Sequence, residues 1–284
     1  MVGRIAALLL AGTAWAAGAG LPAGTDVPTA AVDRTGLAAA EQALLDAPKF
    51  RWQHLQTEHF ILHHDQKMFA ARVARLGEQF YTAIAGDLPS LPDRVSPRRS
   101  HIFIFRDPRD WQAVLGGTTG LGPGTISFVH GQVMYLQEID GDASAQMGLL
   151  AHEMTHLVFN RFLTVPLPLW LNEGLAEYYG EFAYRSARGM GQSRRSAFRP
   201  LRTWTPLAEL LAATAYPADL ETNARFYATS KYLVGFLLLE QPRDRWPVFF
   251  AQVLAGEPAL PVLLATYGWP DLPALERDFV RFLR

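Results

Sequence analysis

The chain has 284 residues, of which 49% are hydrophobic and 19% are charged, and its formal net charge is −1. This length fits one large domain or two modest ones, and the apolar share excludes a long disordered chain. The balanced charge gives no indication of nucleic acid or an anionic membrane as a partner. The sequence has no cysteine, which excludes disulfides, thiolate metal sites and cysteine nucleophiles and leaves His, Asp and Glu as metal ligands.

Residues 1–19 have the layout of a secretory signal peptide. Arg4 precedes an apolar run from Ile5, and small residues provide cleavage sites after Ala16 or Ala19. The run is short for a bilayer span, and the alternative is an uncleaved N-terminal helix or anchor. We expect a secreted or periplasmic protein that keeps no stable membrane anchor after cleavage.

The pattern downstream predicts an α+β fold, because strands cluster early and helices late. Residues 20–48 are predicted to form a linker (Leu21–Gly36) and a short helix (Leu37–Leu45). The remaining domain, 49–284, is divided into an N-terminal lobe of about 49–163 and a helical C-terminal lobe of about 164–284. Its predicted elements, in chain order, are a strand or hairpin over Trp52–His64, a helix over Met68–Ile84, a strand over His101–Phe105, a short helix over Asp107–Leu115, a glycine-rich loop over Gly116–Gly124, a β-like segment over Thr125–Gln137, helices over Ala143–Leu163 and Leu169–Tyr184, an arginine-rich loop over Arg185–Arg202, and helices near 206–213, 224–240, 244–254 and 272–283.

Two of these segments resemble binding motifs only superficially. The glycine-rich loop lacks the Lys-Ser or Lys-Thr that a phosphate-binding loop requires, so we interpret it as a flexible turn. The arginine-rich loop lacks regularly interleaved aromatic residues for stacking on bases, which favours a solvated loop over a nucleic-acid site.

The strongest chemical signal is the pentapeptide His152-Glu153-Met154-Thr155-His156, an HExxH sequence inside a helical pattern. Successive helical residues turn by about 100°, so the two histidines lie about 40° apart on one face, one turn from each other. Both imidazoles can therefore reach one metal ion, and Glu153 projects beside them towards a water molecule. A histidine pair with a purely structural role is the alternative.

A third candidate ligand is Glu173, which is separated from His156 by sixteen residues and belongs to the segment Trp170–Tyr178. Pro166 and Pro168 break the first helix, so that a second helix can return past the metal. Catalytic zinc has three protein ligands and an open position. Glu177 shares a helix face with Glu173 and is a candidate to orient an imidazole, although an exposed helix carboxylate is an equally good interpretation.

The motifs HEMTH and WLNEGLAEYY resemble the gluzincin zinc metallopeptidases, specifically the peptidase MA-like group. The similarity extends from about Trp52 to Leu239, with weaker matches in TEHFILHH, HIFIFRD and RFYATSKYLVGFLLLE. The resemblance implies a two-lobed, thermolysin-like fold, with a mixed sheet and the active-site helix in the N-terminal lobe and helices in the C-terminal lobe. It also implies hydrolysis of a peptide or protein substrate.

Position by position, the resemblance makes His152, His156 and Glu173 the Zn²⁺ ligands and Glu153 the general base. Glu177 and Asn172 would support the ligands. Tyr227 matches the position of an oxyanion-stabilising tyrosine, with an ordinary core tyrosine as the alternative. Weaker candidates for this role are Tyr178, Tyr179 and His130.

The sequence also departs from the family. The interval between His156 and Glu173 is slightly short, and Ser127–Gly131 stands where aminopeptidases carry a GAMEN-like sequence, which favours an endopeptidase. Two other hypotheses stay open: a zinc-binding or assembly module without turnover, and a hydrolase of a non-peptide amide.

Overall fold

The computed structural model describes residues 24–85, 98–117, 125–138, 143–163, 165–190 and 193–284. The expected signal peptide and most of the glycine-rich loop lie outside these residues. Within them, a mixed six-stranded sheet with helices is followed by a mostly helical C-terminal part. The predicted α+β class is therefore confirmed.

The sheet has the strand order β1-β2-β3-β4-β6-β5. Strand β4 is parallel to both of its neighbours, β3 and β6, whereas the pairs β1-β2, β2-β3 and β5-β6 are antiparallel. The strands are β1 (Thr25–Asp26), β2 (Gln53–Gln56), β3 (Phe60–His64), β4 (Ser100–Phe105), β5 (Ser127–His130) and β6 (Val133–Gln137).

Two of the three predicted β-segments are hairpins. Residues 52–64 form β2 and β3, and the segment predicted over Thr125–Gln137 is split into β5 and β6 by a turn at Gly131, whose φ is 59°. Glycine accepts this left-handed backbone without a Cβ clash. Within the predicted linker, Thr25–Asp26 pairs with β2 as an edge strand. A two-residue strand is too short to produce a periodic pattern.

The helices also differ from the prediction at their ends. α7 begins four residues early because the Asp219 side chain accepts a hydrogen bond from the Thr222 amide and caps it. α9 was not predicted; its Pro261 lies in the first turn, where a missing N–H costs little. The helices are α1 (Ala39–Asp46), α2 (Lys67–Ala85), α3 (Pro108–Gly116), α4 (Ala143–Phe159), α5 (Leu169–Ala187), α6 (Leu207–Ala212), α7 (Leu220–Leu239), α8 (Arg245–Leu254), α9 (Ala259–Tyr267) and α10 (Leu272–Leu283).

Alternation along β4 divides the core into two layers. Ile102 and Ile104 belong to the larger cluster, which packs the sheet against α2 and α4 and continues through α5 and α7 to α10. Phe103 and Phe105 belong to the smaller cluster with α1 and α3. Adjacent strand residues face opposite sides of a sheet, so one strand contributes to both layers. Among the described residues, none of the helices has the length and apolarity needed to cross a membrane.

A chain of buried imidazoles crosses three strands on the face of the smaller cluster. The Nδ1 atoms of His54 and His63 are 2.9 Å apart, and His63 Nε2 is 2.9 Å from His101 Nδ1. His54 Nε2 is 3.2 Å from the hydroxyl of Thr29 in the N-terminal segment. A neutral imidazole has one N–H and one bare nitrogen, so all these contacts can be satisfied with every ring uncharged.

Helix α5 lies between α4 and α7 and approaches both through glycines. A Cβ atom on Gly174 would lie 2.6 Å from the carbonyl oxygen of Ser230 in α7. One on Gly180 would lie 3.0 Å from the backbone nitrogen and Cα of His152 in α4. Because these two glycines have no side chain, α5 can lie this close to both α4 and α7.

We expect Gly174→Ala to lower the free energy of unfolding by about 1–3 kcal/mol, because the added methyl group meets backbone that has to move. Gly148→Ala is the matched control: Gly148 lies inside α4, and a Cβ there has no atom within 4 Å. It should raise stability by roughly 0.5–1 kcal/mol through helix propensity. Urea unfolding of the metal-free proteins measures both, and equal changes at the two positions would contradict the packing argument.

Candidate metal centre

The candidate centre lies where α4 and α5 cross. His152 and His156 are one turn apart on α4, and Glu173 lies near the start of α5. After α4 ends at Phe159 the chain turns, and Pro168 stands at the N-cap of α5. The chain therefore reverses direction between α4 and α5, as the two prolines indicated, and this reversal brings Glu173 next to the histidine pair.

Three donor atoms form a nearly equilateral triangle. His152 Nε2 and His156 Nε2 are 3.2 Å apart. Glu173 Oε2 is 3.4 Å from the first and 3.5 Å from the second. A tetrahedral metal with bonds of about 2.0–2.1 Å holds its ligands about 3.3 Å apart. These residues could therefore hold a metal ion, and two imidazoles with one carboxylate suit Zn²⁺.

The titratable groups of the triad stabilise opposite charges on His152 and Glu173. Burial opposes a charge on His152, but hydrogen bonds with Glu173 and Glu177 outweigh it and raise the pKa of His152 to about 10. Burial acts to raise the pKa of Glu173, yet hydrogen bonds with both histidines hold that pKa well below its usual range. Glu173 is only 2% exposed, so its charge is balanced by the histidines rather than by water. A metal ion bound by the triad would replace the proton of His152.

The two predicted supporting residues both contact the triad. Glu177 Oε1 lies 3.1 Å from His152 Nδ1, on the side of the ring away from Glu173. Asn172 Nδ2 donates a hydrogen bond of 3.2 Å to Glu173 Oε1. A carboxylate on the second nitrogen of a histidine fixes the ring's tautomer and direction.

Glu153 lies beside the triad and has a partner that the sequence did not reveal. The hydroxyl of Ser127, on β5, donates a 3.1 Å hydrogen bond to Glu153 Oε1. Ser127 is 5% exposed and Glu153 8%. The bond ties the carboxylate to the last strand of the sheet.

A cleft of about 700 Å³ opens at the centre and is lined by His152, Glu153, Glu177 and Tyr227, among others. The ring of Tyr227 lies 6.2 Å from that of His152, centroid to centroid. The other candidates for the oxyanion role are placed differently: Tyr178 and Tyr179 are buried in the larger core cluster, and His130 is exposed on β5.

Tyr216 also contacts the centre, although sequence reasoning missed it. Its hydroxyl donates a 2.7 Å hydrogen bond to Glu173 Oε1, and its ring stacks on Tyr227. Tyr216 belongs to the segment between α6 and α7, which has no periodic pattern. The only feature of the sequence that could have indicated its role is the presence of an aromatic residue in that segment.

A second group of possible metal ligands is Glu58, His59 and Glu78. The Glu78 carboxylate is already engaged by His59, through the backbone amide at 2.9 Å and through Nδ1 at 2.6 Å. Glu58 is largely exposed. This group fastens the start of β3 to α2 without an ion, so it is the weaker candidate.

Comparison of the chain with protein-family models and with the curated proteins found no match. The geometry of the centre is therefore the basis on which the function is inferred.

Proposed function

We propose that this protein is a zinc-dependent metallopeptidase of the gluzincin type, exported from the cell, that cleaves peptide or protein substrates. The observation that carries the proposal is the triangle formed by His152, His156 and Glu173, with Glu153 beside it and an open cleft in front. The two-lobed gluzincin fold is part of the proposal, with the sheet and α4 in one lobe and the helices that follow in the other.

When bound, Zn²⁺ would supply Lewis acidity, which polarises a substrate carbonyl and acidifies water. Glu153 would accept the proton of the attacking water as the new C–O bond forms. As the C–N bond breaks, Glu153 would pass that proton to the leaving nitrogen. Its hydrogen bond from Ser127 fixes one carboxylate oxygen and leaves the other for this transfer.

The remaining residues would bind and orient the substrate. Tyr227 lines the cleft, and its neutral phenol would donate to the developing oxyanion. Burial raises the pKa of Tyr227, and the nearby carboxylates raise it further, so the phenol keeps its proton. β5 is the last strand of the sheet. Among the described residues its outer edge pairs with no other strand, so an extended peptide could add to it.

The proposal is tested by metal content and hydrolysis together. We expect the purified chain to hold one zinc ion, to cleave a mixture of fluorescence-quenched peptides, and to lose both ion and activity in His156→Gln. The control His59→Gln alters the second cluster but keeps an N–H donor for Glu78, and it should retain zinc and activity.

Each contrary result has a distinct meaning. Full zinc content in His156→Gln would reject the ligand assignment. Zinc binding without cleavage of any peptide, in a folded wild-type protein, would reject the peptidase and favour a zinc-binding module or a hydrolase of other amides.

A further inference from the structure

The hydroxyl of Tyr216 contacts the candidate ligand Glu173 from outside the triad. Tyr216 lies in the segment that joins α6 to α7, and its side chain is 48% exposed. Its ring is parallel to that of Tyr227, with an interplanar angle of 10° and 6.0 Å between centroids. It meets Phe226 edge-on, at 6.4 Å. These ring contacts fix the direction of the hydroxyl although nearly half of the side chain is exposed to solvent.

The two carboxylate oxygens of Glu173 have different partners. Oε2 faces both imidazoles, at 3.4 and 3.5 Å. Oε1 accepts hydrogen bonds from the Tyr216 hydroxyl at 2.7 Å and from Asn172 at 3.2 Å. A carboxylate that turned both oxygens towards an ion would have to break these bonds, one of which is short and charge-assisted.

Asn172 and Tyr216 restrain Glu173 in different ways. Asn172 is the preceding residue on the same helix, so it moves together with Glu173. Tyr216 belongs to a separate segment and ties the ligand to the beginning of α7. Tyr216 therefore holds the carboxylate from outside the helix that carries it.

We propose that Tyr216 is a positioning residue for the metal centre: its phenol O–H holds Glu173 as a one-oxygen ligand, which raises metal affinity and keeps a coordination position open. The proposal rests on the metal centre of the proposed function. It is independent of the reaction that the centre catalyses, because it concerns only how Glu173 is held.

The test compares Tyr216→Phe with the wild type, because this change removes the hydroxyl and keeps the stacked ring. Zinc affinity is measured by competition with a chromophoric chelator, and we expect it to fall about 10- to 100-fold. The protein is also loaded with Co²⁺. A carboxylate freed to bind through both oxygens raises the coordination number, so the visible absorption of the Co²⁺ protein should become weaker in the variant.

Tyr267→Phe is the matched control. Tyr267 is partly buried in the C-terminal helices, and its hydroxyl has no hydrogen-bond partner among the described residues. The control should match the wild type in zinc affinity and in the Co²⁺ spectrum.

Wild-type affinity together with a wild-type Co²⁺ spectrum in Tyr216→Phe would overturn the proposal. A wild-type protein that binds zinc but cleaves nothing would reject the peptidase, and the comparison of affinities would still decide the role of Tyr216. A folded wild-type protein that binds neither ion would reject both.

Discussion

Replacing Glu153 with glutamine should lower the rate of peptide hydrolysis by about 10²- to 10⁴-fold, which is the usual contribution of a general base. Glutamine has the same shape, and its carbonyl can still accept the hydrogen bond from Ser127, but it cannot take a proton from water. Glu153 is outside the ligand triangle, so zinc content should not change. Steady-state kinetics with a fluorogenic peptide and elemental analysis of the same preparation measure the two quantities.

Glu209→Gln provides the control for this substitution. Glu209 is exposed on α6 and is not one of the residues that line the cleft, so its variant should hydrolyse peptides at the wild-type rate. Hydrolysis at an undiminished rate in Glu153→Gln would exclude Glu153 as the base. Loss of zinc in that variant would show instead that Glu153 helps to hold the ion.

The second large effect is a loss of stability at acid pH. We expect the free energy of unfolding of the metal-free protein to fall by about 3 kcal/mol between pH 6.5 and pH 4 because of His101 alone. Burial lowers the pKa of His101 to about 4, although Asp33 and Glu41 act to raise it. Burial likewise lowers the pKa of His54, and that of His63 still more, so the whole chain of imidazoles contributes in the same direction.

The sign follows from where the protons bind. Unfolded histidines take up protons near pH 6.5, whereas folded His101 resists until about pH 4. Between these values the unfolded state binds more protons, so acid favours unfolding. The stabilisation is complete above pH 6.5 and is lost as the pH falls. His152, with its raised pKa, is already protonated in the folded state over this range. Its unfolded state takes up only the last half proton below pH 6.5, which offsets a small part of the loss.

Urea unfolding at several pH values measures this loss, and His101→Gln should reduce its slope. The change to glutamine keeps a polar group next to His63 but removes the titration. His130→Gln is the control, because His130 is exposed on β5 and folding does not bury it. A wild-type stability that is flat between pH 6.5 and pH 4 would contradict the assignment of these rings as neutral.

The sequence was most informative where chemistry depends on local spacing. The i,i+4 interval placed His152 and His156 on one face of α4, and the prolines before α5 indicated the reversal that brings back Glu173. By contrast, Ser127 reaches Glu153 only because β5 packs against α4, and Tyr216 reaches Glu173 only through the packing of α5 on α7. Such contacts join segments that are far apart in the chain, so they cannot be predicted from a periodic pattern in the local sequence.

The secondary structure was predicted well where the sequence has a clear amphipathic pattern and poorly where that pattern is weak. Long amphipathic segments such as α2 were placed within a few residues of their ends. The hairpin of β5 and β6 was interpreted as one segment, although Gly131 between two polar residues is a turn signal. Segment 259–267 is apolar on most sides, so its sequence shows no contrast between faces, and α9 was missed.

The two glycine contacts of α5 also bear on the entropy of ion binding. Gly180 brings α5 against the backbone of His152, and Gly174 brings it against α7, so closely that neither position has room for a Cβ. We therefore expect helix packing to assemble the donor triangle before an ion arrives. Ion binding would then carry no entropic cost of ordering these helices. Small zinc domains differ, because they fold only around their metal and their binding free energy includes that cost.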